Sequence, residues 1–64
     1  MKKGDIVTGI SMVDNRTIIG EYDGKMYWGG EHIGYWIATY SPSYQNCPRE
    51  DYNKTLHEIK HLIK

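Results

Sequence analysis

Apolar positions in the first forty or so residues are grouped in short runs bounded by turn-forming residues, a pattern that predicts an antiparallel sheet. Four short stretches are rich in β-branched and aromatic residues, which favour strands. Residue pairs that favour tight turns separate these stretches, namely Asp14-Asn15, Asp23-Gly24 and Gly30-Glu31. The pattern therefore predicts a hairpin-linked meander with strands at about residues 5–13, 16–22, 25–28 and 32–40.

The predicted turns also fix a register and, with it, a buried and an open face of the sheet. The predicted core face consists of Ile6, Ile10, Ile19, Trp28, Ile33, Tyr35 and Ile37. On the other face, the same register places Tyr27 in one row with Gly9, Gly20 and Gly34. Such glycines either let an aromatic ring cover bare backbone or let the sheet bend into a barrel.

Residues 49–63 are the one stretch with helical periodicity. A stripe at helical spacing is formed by Tyr52, Leu56, Ile59 and Ile63. Acidic residues begin this stretch and lysines end it, as the helix dipole favours. Because an isolated helix of this length is marginal in water, we expect the stripe to pack on the core face. The predicted fold class is therefore α+β, a four-stranded curved antiparallel β-meander with one C-terminal α-helix, in a single domain of residues 1–64.

Size and motifs argue against an enzyme. A chain of 64 residues buries roughly 60% of its unfolded surface, which is enough for one core but not for a deep cleft as well. Serine and cysteine do not occur at a spacing typical of a catalytic triad, and the glycines do not form a phosphate-binding loop. We therefore expect no catalytic residues and no cofactor.

Residues 57–61 contain the letters HExxH, which are typical of a zinc-binding metalloprotease helix. His57 and His61 would then share one helix face, with Glu58 as the general base. We expect no third ligand after His61, so a metal site would need a ligand from upstream, for example His32. We expect a solvated helix face and no metal site, with metal binding by His57 and His61 left open.

Composition predicts a cytoplasmic location. Cys47 is the only cysteine, so an internal disulfide is impossible and a reducing compartment is expected. The first residues lack the apolar core of a signal peptide. No apolar run approaches the length of about 18 residues that spans a bilayer, and no membrane partner is expected.

The most informative residues are aromatic. The chain has six tyrosines and two tryptophans but no phenylalanine, and tyrosine and tryptophan tolerate half-exposed positions at binding surfaces. The predicted partner contacts on the open face are Tyr22, Lys25, Tyr27, Trp36 and Tyr40. We expect a protein partner or a second copy, and a role as an adaptor or as an inhibitor of a larger protein.

The alternative is a nucleic-acid-binding small β-barrel whose tyrosines and tryptophans stack on bases. The chain has 8 basic and 8 acidic residues, so it lacks the basic surplus that phosphate contacts need. The same aromatic residues can also have a purely structural role, covered by barrel closure or by the connector at residues 41–48.

Part of the chain resembles the opening strands of SH3-like small barrels. The resemblance rests on Gly4, Asp5 and Val7, followed by Gly20-Glu21-Tyr22 and the Asp23-Gly24 pair. It covers about 25 residues, and its motifs are generic. It implies sharply bent strands and a sheet that closes towards a barrel, but such barrels serve many unrelated functions, so no functional residue is transferred.

Overall fold

The structure, a computed structural model, describes residues 1–63 and is built almost entirely of β-strands. The four strands are β1 (Ile6–Ser11), β2 (Thr17–Trp28), β3 (Glu31–Ser41) and β4 (Asn53–Leu62). All neighbouring strands are antiparallel, and β4 pairs with β1 as well as with β3, so the sheet closes into a ring. The four-stranded antiparallel meander agrees with the prediction, although the strands are divided differently.

The predicted C-terminal helix is wrong, and with it the α+β fold class. Among the described residues 1–63, only Arg49–Asp51 are helical, as a single 3-10 turn, and residues 53–62 form β4. A helix would have left the edges of β1 and β3 open, whereas a strand gives both edges a hydrogen-bonded neighbour. Tertiary pairing therefore overrides the helical spacing of the apolar residues.

The predicted turn at Asp23-Gly24 is also wrong, because β2 continues through it as one strand. The register between β2 and β3 shifts between Tyr22 and Gly24, so Asp23 is an extra residue in a β-bulge. Gly24 has a φ of +116° there. The Asp-Gly pair thus supplies the conformation that a bulge needs instead of a hairpin turn.

In β1 and in the first half of β2, the side chains that point into the ring are those of the face predicted to lie opposite the core. The buried cluster consists of Val7, Tyr22, Ile37 and Ile59, with Ile18, Tyr35 and Leu62 packed against it. Of the predicted core, Tyr35 and Ile37 do pack inside, but Ile6 is 71% exposed and Ile19 is 64% exposed. Because a ring of four strands encloses very little space, the face with the smaller side chains turns inward.

Glycine makes this tight closure feasible. A Cβ atom on Gly9 would clash with the side chain of Ile59 on the neighbouring strand β4. A Cβ atom on Gly20 would clash with the carbonyl oxygen of Ala38 and lie 2.8 Å from the Ile37 side chain. The expectation that the glycines mark places where the sheet bends into a barrel agrees with these contacts. The predicted row around Tyr27 is not present, since Tyr27 lies opposite His32.

The second half of β2 and the start of β3 extend beyond the ring. β1 pairs with β2 only up to Glu21, and β4 pairs with β3 only from Tyr35 onward. Residues 24–34 are therefore a two-stranded ribbon, which we call the β2–β3 ribbon. It makes the molecule long, with extents of 40 × 21 × 21 Å and a radius of gyration of 12.7 Å. A compact chain of this length has a radius of gyration of about 11 Å.

Candidate functional site

The tip of the β2–β3 ribbon is the most exposed aromatic surface of the described residues. Gly29 and Gly30 form the turn, and their φ angles of +59° and +83° fit the tight hairpin turns that glycine favours. Directly before the turn, Trp28 is 79% exposed and Tyr27 is 58% exposed. A tryptophan this exposed gains nothing from the fold of its own chain, so the tip is the first candidate for binding.

The ribbon carries aromatic groups on both of its faces. On one face, the Tyr27 and His32 rings lie 5.7 Å apart, and the His32 and Tyr35 rings lie 4.7 Å apart, edge to face. This series reaches the buried Tyr22, whose ring lies 6.3 Å from that of Tyr35. Trp28 lies opposite Glu31 and points to the other face. This series of ring contacts links Tyr27 to the core, whereas no ring contact of this kind involves Trp28 within residues 1–63.

One β-bulge lies at the base of the ribbon and another lies within it. In β2 the extra residue is Asp23, and in β3 the register shift between Met26 and Tyr27 makes Ile33 the extra residue. Bulges and charged side chains on edge strands discourage pairing with a foreign strand, and Lys25 adds a charge on this stretch of β2. The ribbon thus offers side chains for contact more readily than it offers backbone.

The five predicted contact residues do not form one surface. Lys25 and Tyr27 lie on the exposed ribbon, and Trp36 is half-buried opposite Gly24. Tyr22 is buried in the core and is not accessible to a partner. Tyr40 lies eight residues beyond His32 along β3, so it is about 26 Å from the ribbon tip.

The sequence prediction missed Trp28 and Ile33 as surface residues because it assigned both to the core. Both are exposed, as is their neighbour His32. The signal that could have identified them is the Gly29-Gly30 pair. Two glycines in succession fit a protruding two-residue turn, and the residues just before such a turn are the farthest from the body of a sheet.

The zinc-motif letters lie on β4 and are not arranged as on a helix. The ring Nε2 of His57 lies 2.8 Å from the hydroxyl of Thr39, whereas His61 is exposed and opposite Ile10. On a strand, residues four apart are separated by roughly 13 Å, too far to share one ion. Within residues 1–63, no three His, Cys, Asp or Glu side chains are grouped to hold a metal.

Cys47 lies in the connector between β3 and β4. Its Sγ is 3.4 Å from the hydroxyl oxygen of Ser43 and donates to the carbonyl oxygen of Pro48 at 3.4 Å. Burial acts to raise the pKa of the thiol, but hydrogen bonds from Ser43 and Tyr44 outweigh it and lower the pKa below its usual value. The contacts are local to the connector and do not join the ribbon.

Charge is concentrated away from the ribbon tip. Asp23, at the ribbon base, pairs with Lys3 at 3.8 Å and with Lys54 at 3.4 Å. On the ribbon itself the formal charges are those of Lys25 and Glu31, which cancel. The ribbon as a whole therefore carries no net formal charge, with Glu31 beside the turn and Lys25 nearer the ring.

Comparisons with protein-family models, with curated proteins and with solved structures find no match for this chain. The likeness to SH3-like barrels accordingly stays a prediction. Within residues 1–63, the chain forms no helix with the length and apolar character that a membrane crossing requires.

Proposed function

We propose that this chain is a small binding protein that inserts its β2–β3 ribbon into a cleft of a larger protein. The observation that carries the proposal is the exposure of Trp28 and Tyr27 at the end of a projecting two-stranded ribbon. Tryptophan and tyrosine are the side chains that most often dominate the energy of protein interfaces. The accessible surface supports the same reading, since 4791 Å² exceeds by roughly 500 Å² what a compact chain of 7.5 kDa exposes.

A cleft fits the ribbon better than a flat surface does. Tyr27 and Trp28 are adjacent in sequence and point to opposite faces. A flat partner would cover one of these rings and leave the other in water. A cleft that surrounds the tip buries both rings and excludes water around them, which is the setting of strong interface contacts.

A protein cleft also fits the charge of the ribbon better than a nucleic acid does. Stacking on single-stranded bases is accompanied by a basic groove that follows the phosphates. Around the tip, Lys25 is balanced by Glu31, and no basic surplus is present on the ribbon. The nucleic-acid alternative therefore enters the experiment as a competing outcome.

The role that follows is that of an inhibitor or an adaptor in the cytoplasm. A ribbon that occupies a cleft of a larger protein blocks whatever else uses that cleft, which is inhibition by occupancy. The free thiol of Cys47 supports a reducing compartment.

The proposal is tested by capture from a lysate of the source cells with immobilised wild-type protein and with Trp28→Ala and Tyr27→Ala. Tyr44→Ala is the matched control, because Tyr44 is as exposed as Tyr27 but lies in the connector between β3 and β4. We expect a protein that the wild type and Tyr44→Ala retain and that the ribbon variants lose. With that protein purified, calorimetry should give at least about tenfold weaker binding for Trp28→Ala. Thermal melts of all variants check that they remain folded.

Two results would contradict the proposal. The first is a captured set that Trp28→Ala and Tyr27→Ala leave unchanged. The second is binding of a labelled single-stranded oligonucleotide at low salt that is lost in Trp28→Ala, because that result would assign the ribbon to base stacking.

A further inference from the structure

A second uncovered apolar surface lies on the outside of the ring, far from the ribbon tip. It is a shallow groove of about 270 Å³, which we call the outer groove. Its lining includes Ile6, Ile19, Glu21, Ala38, Tyr40 and Arg49. The two isoleucines contribute its most exposed apolar surface, and Ala38 lies fully buried at its base.

The strands beneath the outer groove are apolar on both faces. In β1, Val7 points into the ring and Ile6 points out, and in β2, Ile18 points in and Ile19 points out. An antiparallel sheet usually carries polar side chains on its outer face, so the outward isoleucines leave an unusual amount of apolar surface in water. The C-terminal segment that was expected to cover this side is β4 of the ring, so within residues 1–63 no element of the chain covers it.

The groove also contains two opposite charges that form no ion pair with any of the residues that the structure describes. The guanidinium of Arg49 lies 4.7 Å from the centre of the Tyr40 ring and 5.1 Å from that of Tyr52, which fixes it in place. The ion pairs formed within residues 1–63 join Lys3 and Lys54 to Asp23 and join Arg16 to Asp14. Arg49 and Glu21 thus line one groove, but neither reaches a charged partner within 4.0 Å there.

We propose that the outer groove is the interface of a symmetric dimer of this chain. A two-fold axis through the groove places Arg49 of each subunit against Glu21 of the partner subunit. The exposed isoleucines of the two subunits then pack against each other in the centre of the interface. A surface with one positive and one negative group beside an apolar centre is complementary to itself under such an axis.

A second copy matches the groove better than a small charged ligand does. An anion drawn to Arg49 would be opposed by Glu21, and a cation drawn to Glu21 would be opposed by Arg49. The second copy satisfies both charges and covers both isoleucines. The inference is independent of the proposed function, because the ribbon tip lies outside this surface.

Analytical ultracentrifugation over chain concentrations up to about 1 mM tests the dimer. We expect the wild type to dimerise, and E21R and R49E to weaken dimerisation at least about tenfold each, because like charges then meet across the axis. An equimolar mixture of E21R with R49E should recover association as a heterodimer, since both contacts then join opposite charges. R16E is the matched control, because Arg16 is exposed and lies outside the outer groove.

The mixture of E21R with R49E distinguishes a contact between chains from other effects of the two substitutions. A fold defect or a charge effect within one chain would persist when the two variants are mixed, so recovery by mixing is specific to a contact between chains. A wild type that stays monomeric over the whole concentration range overturns the proposal. So does a wild-type dimer that neither E21R nor R49E weakens, or a mixture that does not associate.

Discussion

At the scale of single residues, Gly20 shows how little space the ring leaves. A methyl group there would meet the Ala38 carbonyl oxygen, which is backbone and cannot move aside cheaply. We expect Gly20→Ala to lower the free energy of unfolding by about 1–3 kcal/mol, as overpacking of a closed core does. Urea denaturation measures this, with Thr17→Ala on the exposed start of β2 as the control. Equal stability of the two variants would contradict the tight contact between β2 and β3.

The residue types predicted that the glycines either let an aromatic ring cover bare backbone or mark bends of the sheet, and the closed ring agrees with the second alternative. What the sequence could not give is the side of each strand that turns inward. Val7 and Ile6 are both apolar, as are Ile18 and Ile19, so alternation does not distinguish the two faces of β1 and β2. The narrowness of the four-stranded ring decides the question, and that is a property of closure and not of any single residue.

At the scale of elements, β4 offers a direct test of strand against helix. On a helix, Leu56 and Ile59 would lie on the same buried stripe and matter about equally. On β4 they point to opposite sides, and Ile59 is fully buried whereas Leu56 is exposed. We expect Ile59→Ala to cost about 2–5 kcal/mol of unfolding free energy and Leu56→Ala less than about 1 kcal/mol. Thermal or urea unfolding measures both, and similar losses would favour the helix.

The elements that were mispredicted share one cause. Asp23-Gly24 fits a hairpin turn as well as a bulge, and residues 49–63 fit a helical stripe as well as a strand. Local sequence leaves both options open in each case, and the pairing partner selects one of them. Within the candidate site, the sequence was enough to place Lys25 and Tyr27 on an exposed strand. The exposure of Trp28 could not be predicted in the same way, because it depends on the position of the turn at Gly29-Gly30.

At the scale of the whole molecule, the ring and the ribbon should differ in local stability. Ring strands have hydrogen-bonded neighbours on both sides, whereas each ribbon strand has a neighbour on one side only. We expect backbone amides of residues 25–32 to exchange with solvent at least about tenfold faster than those of residues 7–10, because the ribbon opens without unfolding the ring. Hydrogen exchange followed by NMR measures this. Uniform protection along β2 would instead mean that ribbon and ring open as one unit.

The closure of the ring by β4 also has a consequence for how the chain reaches its native state. β1 pairs with β4, so nearly the whole chain separates the two partners and the last contact carries a large loop-closure entropy. We accordingly expect folding to be slow for so small a chain. Until β4 docks, β1 and β3 present unpaired edges, and the β4 of a neighbouring molecule fits there as well as the chain's own. Docking of the chain's own β4 therefore competes with domain swapping, in which β4 of a neighbouring molecule completes the ring. A high local concentration of nascent chains favours the swapped form.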